Sequence, residues 1–129
     1  MATVQISKDE PLFRISGRVT EKESGLGVPG LIVRAFDKDM FFDDLLGSVT
    51  TGSDGSFEIQ YLRSDFSDLF EAKPDIYLSV YAPPIRWLAD TKESVRWNAG
   101  ADEQFTIVLD RSISDHTVHQ DHPIELKAD

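Results

Sequence analysis

Residues 33–47 read VRAFDKDMFFDDLLG, and residues 51–59, which follow closely, read TGSDGSFEI. The first stretch predicts a strand, an aspartate-rich loop and a second strand, because apolar positions alternate on both sides of the loop. The second stretch predicts a hairpin turn that leads into a further strand, since the glycines around Ser53 and Asp54 can take positive φ. The same period of two recurs outward from these hairpins along most of the chain.

The alternation predicts about seven short strands. They cover residues 13–19, 31–36, 45–51, 57–61, 76–82 and 104–109, with 95–97 as a further short candidate. Between them, the spacing of Phe66, Leu69 and Phe70 predicts one short helical segment near 65–71. Many short strands with regular turn signals and little helix predict an all-β, antiparallel β-sandwich.

Length and charge limit the organisation and the partners. The chain has 129 residues, no cysteine and a net charge of −10. We expect a polar leader at 1–11, one sandwich at 12–110 and a polar C-terminal tail at 111–129. We expect no nucleic-acid partner, because the charge repels phosphate and no basic stripe occurs.

No segment of the sequence is typical of a membrane span or of an export signal. No apolar run reaches the roughly 20 residues that span a bilayer, so we expect no transmembrane segment. No signal peptide is visible, so a cytoplasmic location is the default expectation, although an exported mature form would look the same.

The aspartate-rich loop is the candidate metal site. Calcium prefers six to eight oxygen ligands, and several carboxylates on one curved loop can supply them. We therefore predict calcium as the candidate cofactor, with four ligands: Asp37, Asp39, Asp43 and Asp44. The alternative is that these aspartates cap turns and keep an edge soluble. Asp54 is expected at the opposite end of the third strand, away from this loop.

The apolar residues at the tip of this loop are the candidate binding residues. Met40 and Phe41 are predicted to form an exposed contact patch for a partner or a lipid surface. Phe42 is expected to fold back and close the core. Core or edge packing is the expected use of the other large aromatic residues, although they could line a groove for a sugar or a peptide: Tyr77, Tyr81, Trp87 and Trp97.

Three histidines at i, i+3 and i+6 form the remaining candidate metal site. His116, His119 and His122 could chelate zinc or nickel on a helix, but Pro123 and polar neighbours favour a solvated tail. The sequence contains no Gly-x-Ser-x-Gly elbow and no glycine-rich phosphate loop, so we predict that the chain is not an enzyme.

Five short motifs resemble the prealbumin-like sandwich of transthyretin-like and carboxypeptidase regulatory-like domains: ISGRV (15–19), VPGLIV (28–33), DKD (37–39), DDLLG (43–47) and DGSFEI (54–59). The resemblance covers roughly residues 12–110. It implies an accessory, adhesive or ligand-carrying domain. The chain lacks the terminal motifs of related 5-hydroxyisourate hydrolases and the spacing of the iron ligands in intradiol dioxygenases. The loop alone is also similar to the calcium loop of C2 domains.

The residues and the resemblance together predict a non-enzymatic binding or assembly module with a protein partner. A homo-oligomer through exposed edge strands is a further candidate. Two alternatives stay open. One is a calcium-dependent module that binds a ligand or surface through residues 37–44, and the other is a metal-dependent enzyme that uses the tail histidines.

Overall fold

In the computed structural model, two β-sheets face each other across one apolar core, as the all-β sandwich predicted from the sequence requires. The structure describes residues 12–63 and 73–113. Their seven strands are β1 (Leu12–Glu21), β2 (Ile32–Asp37), β3 (Asp44–Thr50), β4 (Ser56–Leu62), β5 (Ile76–Ala82), β6 (Arg86–Asp90) and β7 (Asp102–Leu109). A short 3-10 turn, Lys92–Ser94, follows β6. The helix predicted near 65–71 and the tail histidines lie outside the described residues.

The strand order is β4-β1-β7 in one sheet and β3-β2-β5-β6 in the other. Every neighbouring pair is antiparallel except β1 and β7, which run parallel. The parallel pair arises because β6 ends at the end of the sandwich where β1 begins. The chain therefore enters β7 from that same end, and Arg14 pairs with Asp102.

Alternating side chains from both sheets form the core. Ile15 in β1, Val33 in β2 and Leu78 in β5 are fully buried. The predicted alternation of β2 is confirmed, since Leu31, Val33 and Ala35 are buried while the intervening side chains are half-buried. Burial of these apolar side chains is the main force that holds the sheets together.

The outer face of β5 is also shielded from solvent. The Tyr77 side chain on this face is buried, because it stacks on Phe36 with ring centroids 5.2 Å apart. The Lys92 ammonium also lies over the Tyr77 ring, 5.4 Å from its centroid, so Phe36, Tyr77 and Lys92 form one cluster. The cluster fixes the end of β5 that lies beside the aspartate-rich loop.

Two details differ from the predicted strands. β6 was not predicted, since its sequence lacks a clean alternation and a bulge interrupts its pairing with β5. The segment 95–97 forms no strand, and Arg96 contributes one isolated bridge to Ile76. Among residues 12–63 and 73–113, no helix has the length and apolar character needed to cross a membrane.

Candidate functional site

The aspartate-rich loop lies at one end of the sandwich, between β2 and β3. Asp37 closes the base of the loop by pairing with Asp44 on one side and with Ile76 on the other. The segment around Arg96 reaches the same end because of its bridge to Ile76. We call residues 38–45 together with residues 95–98 the loop end.

Three consecutive large apolar side chains project from the loop end. Met40 is 83 % exposed, and Phe41 and Phe42 are each 82 % exposed. The prediction that Phe42 closes the core is therefore wrong. The core at this end is already filled by Pro74 and Ile76, which are fully buried, so the loop turns outward. Met40 and Phe41 have the exposure that a contact patch requires, and their binding role stays a prediction.

Two more exposed apolar side chains lie at the same end of the sandwich. Trp97 is 61 % exposed, so it does not pack in the core. It is held at the loop end because the next residue, Asn98, donates its backbone N–H to Asp75 Oδ1 over 2.9 Å. Leu45, the second residue of β3, is also exposed. The loop end therefore combines five large exposed apolar side chains: Met40, Phe41, Phe42, Leu45 and Trp97.

The first predicted metal ligand, Asp37, is used inside the protein. Its side chain is buried, and its Oδ1 accepts the backbone N–H of Asp75 over 2.9 Å. The backbone N–H of Lys38 in turn donates to the carbonyl oxygen of Asp75 over 2.7 Å. These two bonds tie the start of the loop to the segment that leads into β5.

Asp39 and Asp43 brace the loop itself. Asp39 Oδ1 accepts the backbone N–H of Met40 over 2.6 Å, and Asp43 Oδ1 accepts the backbone N–H of Asp39 over 3.0 Å. The second oxygen of Asp43 accepts the Tyr77 hydroxyl. Since Tyr77 belongs to β5, this bond joins the far side of the loop to the sheet.

The Tyr77–Asp43 bond shifts the titration of both groups. The hydroxyl donated by Tyr77 is the main reason that the pKa of Asp43 lies below its ordinary value, and nearby Lys38 and Lys92 add to this effect. Burial, followed by the hydrogen bond to Asp43, raises the pKa of Tyr77. Asp43 therefore stays ionised and Tyr77 stays protonated at neutral pH, which keeps the bond intact.

The four predicted ligands do not form one open cage of oxygens. Asp37 is buried, Asp39 and Asp43 bond within the loop, and Asp44 is exposed at the start of β3. Across residues 12–63 and 73–113, no three His, Asp or Glu side chains converge as a metal-binding group. Calcium binding at residues 37–44 stays a prediction. Asp54 lies in the hairpin at the opposite end, as predicted, where it accepts bonds from Ser56.

An open groove of about 980 Å³ lies away from the loop end, and no motif in the sequence predicted it. β1, β3, β4 and β7 all contribute to its lining, which carries one cation, Arg18, and one anion, Glu58. The Arg18 Nε donates to the carbonyl oxygen of Asp54 over 2.9 Å. The lining thus offers mixed hydrogen-bonding groups and no acid–base pair.

No protein-family model matches this chain, and no curated protein sequence matches it. Solved structures share its fold. A 9R-lipoxygenase from Cyanothece PCC8801 matches with a TM-score of 0.60 and 17% identity over 84% of this chain and 19% of the lipoxygenase chain. An (S)-allantoin synthase matches with a TM-score of 0.54 and 9% identity over 84% of this chain and 45% of the synthase chain.

A third match is the dioxygenase domain of a dioxygenase–carbohydrate-binding fusion protein from Streptomyces sp. SirexAA-E, with a TM-score of 0.48 and 19% identity. It covers 78% of this chain and 80% of that chain. The chain thus spans about a fifth of the lipoxygenase and less than half of the synthase. At such identities the likeness shows the fold. The prealbumin-like and C2 resemblances stay predictions.

The comparison corrects the predicted function. The residues and the resemblance to prealbumin-like domains predicted a non-enzymatic binding or assembly module. The sandwich instead matches parts of chains that are enzymes, a lipoxygenase and an allantoin synthase. The fold is therefore one that enzymes contain, and the prediction of a non-enzymatic binding or assembly module was wrong.

Proposed function

We propose that this chain is a β-sandwich domain of an enzyme. In this proposal the loop end holds the enzyme against an apolar surface or an apolar substrate. The proposal assigns the contact to the exposed side chains of Met40, Phe41 and Phe42, with Trp97 and Leu45 beside them.

The exposure of three consecutive large apolar side chains carries the proposal. Each of Met40, Phe41 and Phe42 leaves more than four-fifths of its surface in water. Burying such a side chain would stabilise the fold by about 1.5–3 kcal/mol. Because three of them stay exposed, the folded protein lacks this stabilisation at all three positions. Contiguous exposed apolar side chains commonly mark an interaction site.

The bracing of the loop also supports a contact role. A loop that is fixed before binding loses less conformational entropy when it binds. The bonds of Asp37, Asp39 and Asp43 to the neighbouring backbone and to Tyr77 hold both sides of this loop. The aspartates thereby present the apolar tip, which is a different use from ligating a metal.

The link to an enzyme is supported by how the fold recurs. The match to the 9R-lipoxygenase covers 84% of this chain but 19% of that enzyme. A sandwich of this size can thus form a minor part of an enzyme whose other parts are much larger. In this proposal the chain is likewise one part of an enzyme, and its loop end contacts the apolar surface or the apolar substrate.

Binding of Nile red, an uncharged apolar dye, tests the proposal. Wild-type protein, the double variant Phe41→Ser/Phe42→Ser and the control Leu26→Ser would be titrated by fluorescence. Leu26 is an exposed apolar residue near the opposite end, so its replacement removes exposed apolar surface elsewhere. We expect the double variant to bind at least about tenfold more weakly, since about 1.4 kcal/mol corresponds to a factor of ten. Equal binding by all three proteins would contradict the proposal.

A further inference from the structure

We infer that the apolar surface contacted by the loop end is a lipid–water interface with zwitterionic headgroups. The inference rests on the proposed function and names the material that the loop end would bind. It commits to lipid rather than to a protein partner, and to uncharged interfaces rather than anionic ones.

The size and shape of the tip favour lipid. A stable protein interface buries about 800 Å² on each partner. Aromatic side chains bury roughly 150–250 Å² each, so the tip formed by Met40, Phe41 and Phe42 offers roughly 500 Å² by itself. Because side chains at a loop tip enter a lipid phase one by one, no complementary partner surface is needed.

The residues that flank the tip also suit an interface. Trp97 is 61 % exposed at the same end of the sandwich. Tryptophan prefers the headgroup level of a bilayer, since its ring is apolar while its N–H can donate a hydrogen bond to polar groups. In this arrangement Phe41 and Phe42 would enter the acyl boundary while Trp97 would lie at the headgroups.

Charge decides the kind of lipid. The net charge of −10 opposes contact with anionic headgroups. Two arginines near the loop end are paired, Arg14 with Asp102 at 3.1 Å and Arg96 with Glu103 at 2.9 Å. Lys38 and Lys92 lie near Asp43. The loop end itself holds two cations, Lys38 and Arg96, and three carboxylates, Asp39, Asp43 and Asp44, so its own residues supply no excess positive charge to attract anionic lipid.

Co-sedimentation of the full chain with phosphatidylcholine vesicles tests this inference. EDTA would be present throughout, so that calcium plays no part. We expect wild-type protein and Leu26→Ser to sediment equally. The partition coefficient of Phe41→Ser/Phe42→Ser should fall at least about tenfold, because two buried phenyl groups are lost. Trp97→Ala should give a smaller loss.

Several results would overturn the inference. Absence of vesicle binding by the wild type in EDTA would do so. A parallel run with calcium in place of EDTA would also overturn it if the protein bound only phosphatidylserine vesicles there. Loop-dependent self-association in analytical ultracentrifugation without vesicle binding would assign the tip to a second copy of the chain. In each case, loop-dependent Nile red binding would leave the proposed function standing, whereas its absence would remove both.

Discussion

Asp43 links the apolar tip to the sheet through two hydrogen bonds. One oxygen accepts the backbone N–H of Asp39, and the other accepts the hydroxyl of Tyr77 in β5. Neighbouring aspartates in the same loop have other uses, since Asp37 is buried against Asp75 while Asp44 faces solvent. The carboxylates of this loop therefore have different roles, although they are adjacent in the sequence and form one acidic cluster there.

The depressed pKa of Asp43 makes its contribution to stability depend on pH. The hydrogen bond from Tyr77 lowers the pKa of the folded carboxyl below the ordinary value of 3.8. The stabilisation is therefore present above that value and is lost as the pH falls through the folded pKa. We expect Asp43→Asn to lower the free energy of unfolding by less than about 1 kcal/mol at pH 7, because the group is exposed.

Denaturant unfolding of wild type and Asp43→Asn between pH 7 and pH 2 would measure this difference. It should shrink to zero at the acid end. Asp44→Asn is the matched control, since it removes the same charge in an exposed position at the base of the same loop. A difference that stays constant with pH, or one that Asp44→Asn reproduces, would contradict the role given to the Tyr77–Asp43 bond.

Single residues show where prediction from sequence ends. The buried positions Val33 and Leu78 follow directly from alternation. The contact between Asp43 and Tyr77 does not, because 34 positions separate the two residues and only strand pairing brings them together. The exposure of Phe42 could not be predicted either, since an apolar side chain next to a strand more often closes the core.

At the scale of elements, β1 is the strand on which the three-stranded sheet depends. It lies between β4 and β7, and Gly17 at its middle pairs with Phe57 on one side and with Phe105 on the other. A Cβ atom at Gly17 would lie 2.1 Å from the carbonyl oxygen of Phe105, which is part of the backbone. The strand can therefore pack here only without a side chain.

Gly17→Ala should destabilise the protein by at least about 2 kcal/mol, because the sheet must shift to make room. Gly100→Ala is the control, since its nearest neighbour would be a Glu103 carboxylate oxygen at 3.6 Å, an ordinary contact. We expect the control to change stability by less than about 0.5 kcal/mol. Denaturant unfolding measures both. Equal stability of Gly17→Ala and wild type would show that β1 does not pack as closely as described.

The elements themselves were largely predictable. Six of the seven strands have clear alternation or a hairpin turn, and Gly55 in the β3–β4 turn has the positive φ of 82° that the turn pattern predicted. β6 escaped prediction because its bulge interrupts the period of two, so inward and outward residues no longer alternate. The parallel direction of β7 depends on the path of the whole chain, which no local pattern encodes.

At the scale of the whole molecule, the exposed apolar residues are distributed unevenly between the two ends. The loop end holds three consecutive ones at its tip, with Trp97 and Leu45 at the same end, whereas the other end has single ones such as Leu26, and Ile85 with Trp87 two positions on. Scattered exposed apolar residues are normal, and a contiguous group is unusual. The sequence pointed to Met40 and Phe41 but could not place Trp97 beside them, since only the fold joins these segments.

The central claim is that the apolar tip contributes little to the stability of the fold and is therefore available for contact. The free energy of unfolding of Phe42→Ser tests this claim most directly, with Phe57→Ser in the core as the comparison. We predict that Phe42→Ser stays within about 0.5 kcal/mol of wild type, while Phe57→Ser loses roughly 3 kcal/mol or more. A comparable loss for Phe42→Ser would place Phe42 in the core and would contradict the account.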